Sequence, residues 1–174
     1  VDGSQFTFGV LDDTLHVRSK GATLHLPVTD KLFAAACETA ARLYHEGLLV
    51  EGWLYRCEAL FREKHNTLTY GRVPTGNVVL FDIAVDYGDG VQVFLRPEEF
   101  HRVVTAANEE MLNKGSCDHD GVIGMAPVLY EGPYDADLLL RMAEGNTELG
   151  EAGATFQRAI PLPTAAGEIF GALS

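Results

Sequence analysis

Residues 5–18 read Gln-Phe-Thr-Phe-Gly-Val-Leu-Asp-Asp-Thr-Leu-His-Val-Arg. Apolar and polar residues alternate over 6–10 and again over 14–18. That is the two-residue period of a strand with one buried face. Asp12-Asp13 stands between the two runs, where a tight turn belongs. The stretch therefore predicts a β-hairpin, and with it an antiparallel sheet.

The rest of the chain extends that sheet and adds helices. Residues 22–26 predict a third strand, ended by Pro27. Thr29 or Asp30 then suits a helix cap. Leu32, Phe33, Ala36, Cys37, Ala40, Leu43 and Tyr44 recur at helical spacing, and Gly47 is a suitable stop. Residues 49–60 and 77–85 predict two long strands, separated by a polar loop over 62–76. A turn at 87–90 leads to a short strand over 91–95. Pro97 suits a helix start, Phe100, Val103, Val104, Ala107 and Met111 form its buried stripe, and Lys114-Gly115 ends it. Residues 126–130 predict a strand and 135–143 a short helix. Residues 151–174 carry few charges and no clear period, and read as a loop or tail. The fold class expected is α+β: antiparallel sheets with flanking helices, in one domain.

Composition narrows the function classes. The 174 residues are 47% hydrophobic and 22% charged, as in an ordinary globular domain. No apolar run approaches the ~20 residues of a membrane span, and no basic segment followed by an apolar one marks a secretory signal. Cys37, Cys57 and Cys117 are too few and too far apart for a disulfide framework. A cytoplasmic setting without membrane partners is the expectation. A net charge of −12 excludes a protein that is basic throughout. It is compatible with a local basic groove, because phosphate contacts need only a few placed cations.

Four short stretches stand out in order. They are Val1-Asp2-Gly3-Ser4; Arg18-Ser19-Lys20-Gly21; Tyr55-Arg56-Cys57-Glu58, followed by Lys64-His65-Asn66-Thr67-Leu68; and Leu80-Phe81-Asp82-Ile83. Singly, each has an ordinary reading. An Asp-Gly pair is usually a turn. The basic run fits a solvated hairpin end, Glu58 a half-exposed strand residue, and Phe81 a core side chain. Strand alternation puts Val79, Phe81 and Ile83 on one face and Leu80 and Asp82 on the other. Both faces are largely apolar, so alternation alone leaves Phe81 open between pocket and core. Cys117-Asp118-His119-Asp120 reads as a polar loop rather than a metal site, since adjacent residues do not converge easily on one ion. A nucleophile elbow and a phosphate-binding P-loop are both absent.

Taken together and in order, the four stretches resemble the covalent nucleotidyltransferases, and among them the ATP-dependent RNA ligases. Val1-Asp2-Gly3 matches the last three positions of that family's Lys-x-(Asp/Glu/His)-Gly motif. Arg18-Ser19-Lys20-Gly21 lies where the family has a basic phosphate-contacting motif. Tyr55 to Glu58 resembles its aromatic-x-Gly-Glu motif, with Cys57 in place of glycine. Leu80 to Ile83 resembles the motif whose aromatic residue stacks on adenine. The run of Lys64 to Leu68 with Tyr70, Arg72, Val73 and Pro74 resembles one branch of predicted phage and bacterial ligases.

The resemblance covers residues 1–150, up to Glu148-Leu149-Gly150, as an incomplete ATP-grasp-like ligase adenylation domain. It stops in the 151–174 tail, and no lysine follows Lys114. It implies a nucleophilic lysine immediately before Val1, so that this sequence is a fragment of a longer protein. It also implies ATP and Mg²⁺ as cofactors and broken or nicked RNA as the partner. Asp2, Gly3, Arg18, Lys20, Glu58 and Phe81 would bind the nucleotide. Arg18 and Glu58 would support catalysis, with Glu58 on the ribose and Phe81 under the adenine. Lys64 and His65 would touch adenylate or RNA. Alternatives are the adenylation domain of a DNA ligase and a non-catalytic nucleotide-binding remnant.

Overall fold

The structure is a computed structural model. It describes residues 3–28, 30–66, 70, 73–86, 91–115, 123–126 and 132–143, with backbone alone at 139, 141–143, 162–163 and 169–170. The hairpin forms as expected, from β1 (Ser4–Leu11) and β2 (Thr14–Ser19), with Leu11 opposite Thr14. Asp12 and Asp13 turn the chain at φ values of 52° and 55°. Aspartate tolerates this left-handed region better than most residues, and its twist suits a two-residue hairpin.

The protein is a mixed α/β fold with a mostly antiparallel sheet. The third strand shrinks to β3 (Thr23–Leu24), and the fourth, β4 (Trp53–Ala59), begins later than the expected residue 49. Gly52 at φ 77° and a turn from Val50 to Trp53 redirect the chain first. The remaining strands of this sheet are β5 (Val78–Asp86), β6 (Gln92–Phe94) and β7 (Ile123–Met125). The order is β3-β2-β1-β4-β5-β6, and β7 also pairs with β5, in parallel. Of the strand expected at 126–130, residues 127–130 lie outside the described residues. The 151–174 tail, expected to be without regular structure, contains a two-residue pair, β8 (Leu162–Pro163) with β9 (Ile169–Phe170).

Among the described residues three helices accompany the sheet: α1 (Ala34–His45), α2 (Pro97–Asn113) and α3 (Ala136–Ala143). The first starts later than a cap at Asp30 implies. Asp30 Oδ1 instead accepts the Leu32 amide in a turn ahead of the helix, and Phe33 takes the cap position. Gly47 and Gly115, at φ 69° and 66°, follow α1 and α2 as stops. Among the described residues no helix is long and apolar enough to cross a membrane.

The sheet buries one face. Phe6, Phe8, Tyr55, Cys57, Val78, Leu80 and Ile83 pack with Ala36, Cys37, Ala40 and Leu43 of α1 and with Phe100, Val104 and Met111 of α2. Two polar side chains are buried with them, and both serve the backbone. Thr39 Oγ1 donates to Gly76 O at 2.8 Å. Asn108 donates to Ile123 O at 2.9 Å and accepts the Ile123 amide at 3.0 Å, tying β7 to α2. Gln5, Thr7, Arg18, Arg56 and Glu58 alternate with core positions, and so fall on the opposite face. The opposite face is divided: Val79, across from Glu58, is buried with Leu60 and Tyr70 in a second, smaller cluster, and the polar residues occupy the rest.

Candidate functional site on the polar face of the sheet

Pairing aligns the polar residues in cross-strand rows. Thr7 of β1 lies opposite both Arg18 of β2 and Arg56 of β4, and Arg56 lies opposite Asp82 of β5. Gln5 lies opposite Glu58. A cavity of about 260 Å³ opens over these rows, lined by Gln5, Thr7, Arg18, Lys20, Arg56 and Gln92 among others. Among the described residues three cations line it and no carboxylate does. Their clustering stands out in a chain with 13 basic and 25 acidic residues. Three cations with hydroxyl and amide donors suit a polyanion such as a phosphate chain.

Arg56 is held from two sides. Its guanidinium lies 3.9 Å from Asp82 and 5.6 Å from the Phe94 ring centroid. Asp82 is half-buried. Burial raises its carboxyl above the usual aspartate value, and the neighbouring Arg56 works against that rise. At 3.9 Å the Arg56–Asp82 ion pair is a long one.

Gly3 joins the first stretch to the third. A Cβ at Gly3 would stand 2.7 Å from Ala59 O, 3.0 Å from Glu58 Cβ and 3.1 Å from Leu60 Cδ2. Only glycine allows the chain to pass this close to the end of β4. Gly3 is thus brought beside Glu58. Asp2 lies outside the described residues.

Phe81 departs from strand alternation. The β4–β5 register shifts between Arg56 and Cys57, so that Asp82 faces Arg56 and Leu80 faces Cys57. Phe81 is the extra residue of a β-bulge. Leu80 and Ile83 consequently both reach the core, and the expected shared face of Phe81 with Ile83 is lost. Phe81 is 41% exposed and lines a second cleft, of about 350 Å³, with Asp82, Leu95, Pro97, Phe100, His101 and Ala126. This cleft lies where β5 changes neighbours. β7 pairs with residues 78–80, β6 pairs with residues 84–86, and Phe81-Asp82 falls between them.

The structure thus gathers Arg18 and Lys20 in one cavity, Gly3 against Glu58, and Phe81 in a second cleft that shares no lining residue with the first. Lys64 is exposed, whereas His65 is turned inward and only 7% exposed, so it offers little surface to adenylate or RNA. Cys57, in the family's glycine position, faces the core. Its thiol donates to Phe6 O at 3.3 Å, and burial pushes its pKa well up. Arg56 was not singled out from sequence, although it stands two residues before Glu58, the strand spacing for a shared face. Among the described residues no group of three or more His, Cys, Asp and Glu side chains could hold a metal ion. Cys117-Asp118-His119-Asp120 lies outside them. No protein family, curated protein or solved structure matches the chain.

Proposed function

We propose that this chain is part of the adenylation domain of an ATP-dependent RNA ligase. One observation carries the reading. Residues of three separate stretches meet across β2, β1 and β4: Arg18 and Lys20 share a cation-lined cavity with Arg56, and Gly3 packs against Glu58, neither of which lines that cavity. Sequence distance does not produce such a meeting by itself; the fold must bring them there.

In this reading a lysine directly before Val1 attacks the α-phosphorus of ATP. A phosphorus–nitrogen bond forms, the bond to the pyrophosphate oxygen breaks, and the amine proton passes to solvent. Arg18, Lys20 and Arg56 neutralise the phosphates, and their charge favours the neutral, nucleophilic form of a nearby amine. Glu58 accepts hydrogen bonds from ribose hydroxyls, since an ionised carboxylate can only accept. Phe81 supplies a flat face for the adenine. Magnesium would arrive on the ATP phosphates, in keeping with its habit of binding through substrate phosphates rather than protein cages. The AMP then passes to an RNA 5′-phosphate, and a 3′-hydroxyl displaces it.

The test is to incubate the full-length gene product with α-labelled ATP and Mg²⁺. The reading requires label trapped on the lysine before Val1, and its loss in Glu58→Ala with the fold retained. No label with Mg²⁺ or Mn²⁺, or another residue before Val1, sinks it and leaves a non-catalytic nucleotide-binding domain. Sealing of nicked DNA but not RNA would make it a DNA ligase instead.

A further inference from the structure

The segment after β4 returns to the start of β1. Its side chains make two contacts with the pair of residues that follow Val1-Asp2. His65 Nε2 lies 2.8 Å from Ser4 Oγ, and Asn66 Nδ2 donates to Gly3 O at 2.6 Å. His65 Nδ1 accepts the Phe61 amide at 3.3 Å. An acceptor at Nδ1 places the ring proton of a neutral imidazole on Nε2, directed at the Ser4 hydroxyl. The Phe61 ring stands edge-on to the imidazole at 5.1 Å, and His65 is 7% exposed. On its other side, Gly3 is pressed against Ala59 and Glu58 at the end of β4.

These contacts do something the sheet does not. β1 is already registered on both sides, with β2 from Phe6 to Leu11 and with β4 from Ser4 to Gly9. Attachment of the strand needs no further bond. Gly3 lies before the first paired residue and is held there by Asn66, while His65 bonds the side chain of Ser4, the first residue paired with β4.

We propose that His65 and Asn66 are positioning residues that clasp the chain where it enters β1. In doing so they set the approach of the preceding segment to Glu58. The proposal rests on the ligase reading for its catalytic consequence: the clasp would fix the lysine before Val1 relative to the α-phosphorus. His65 acts through Ser4 and Asn66 through Gly3, and neither needs to touch nucleotide.

The experiment uses the full-length gene product with Ser4→Ala, His65→Gln, Asn66→Ala and the double variant Ser4→Ala/His65→Gln. Hydrogen exchange is read at the amides of residues 3–5, with residues 6–10 as the internal reference. Enzyme–AMP formation is measured in parallel over a range of ATP concentrations. The clasp predicts faster exchange at residues 3–5 with residues 6–10 unchanged. It predicts a rate at saturating ATP lowered roughly 10- to 100-fold, the scale of a misplacement near 1 Å, with the KM for ATP within about twofold. Ser4→Ala and His65→Gln should be non-additive, because they remove the same bond. Unchanged exchange and rate overturn the proposal. So does a uniform loss of protection through residues 6–10, which would make the contacts general supports of the fold. If the wild type takes up no label, the ligase reading falls, and exchange at residues 3–5 still decides whether the clasp exists.

Discussion

Replacing Gly3 by alanine tests the geometry on which the site depends. The added methyl would meet Ala59 O at 2.7 Å, Glu58 Cβ at 3.0 Å and Leu60 Cδ2 at 3.1 Å. Carbon–carbon contacts are most favourable at about 3.5–4.0 Å, so β1 and β4 must separate by roughly half an ångström. The first two contacts belong to a strand paired on both sides and cannot rotate away, and Leu60 is fully buried. Overpacking of this kind costs about 1–3 kcal/mol. Alanine also restricts the unfolded chain, which returns about 0.4–1 kcal/mol. The net loss expected is about 1–2 kcal/mol. Trp53, the single tryptophan, sits on β4 and reports urea unfolding by its fluorescence. With a urea slope of about 1–3 kcal/mol per molar, a loss near 1.5 kcal/mol moves the midpoint down by about 0.5–1.5 M. Gly21→Ala is the control, because nothing lies within 4 Å of its added methyl. It should leave the midpoint unchanged or raise it slightly. A Gly3→Ala protein as stable as the wild type would refute the close passage beside Glu58, and with it the joining of the first and third stretches.

Phe81→Ala should change stability by less than about 1 kcal/mol, because the ring is 41% exposed and outside the main core. It should weaken ATP binding about tenfold, a typical loss for one stacking contact; global unfolding would make Phe81 a core residue. Asn108→Ala leaves the Ile123 amide and carbonyl without partners in a buried site, and should cost roughly 2–4 kcal/mol in urea melts. An unchanged midpoint would refute the tie between α2 and β7. The buried thiols should resist alkylation in the native protein. Burial, with Glu38 adding to it, pushes the Cys37 pKa up to about 11 from the ordinary 9.0. Between those values the native protein keeps the proton and the unfolded chain loses it, so this group lowers stability as pH rises through that window. Urea midpoints that fall less steeply over the same window in Cys37→Ala bear this out, and an identical slope contradicts it.

The parts of the fold that follow from local periodicity were legible in the sequence. The hairpin, the buried stripes of α1 and α2, and their glycine stops belong to this class. The grouping of Arg18 and Lys20 came with the resemblance of the basic run and not from periodicity. Features set by long-range pairing were not legible. The bulge at Phe81 is a property of β4 and β5 together, and no pattern within residues 77–85 marks it. It takes an aromatic ring out of the core of an otherwise apolar strand and leaves it accessible at the point where β5 changes neighbours. Asn108 was not singled out, for a related reason. A polar residue in a buried helical position reads as an interruption until its partner, the Ile123 backbone, is known. His65 failed in the opposite direction. Within Lys64-His65-Asn66 the resemblance makes it a contact for adenylate or RNA, and only the fold brings Ser4 to its ring. The common cause is that a polar side chain's role depends on what stands opposite it, sixty residues away in this case. An apolar side chain's role depends mainly on its face. This asymmetry makes His65 and Asn66 the informative positions to vary, because their contacts with Gly3 and Ser4 are a statement about the site that apolar patterning could not have made.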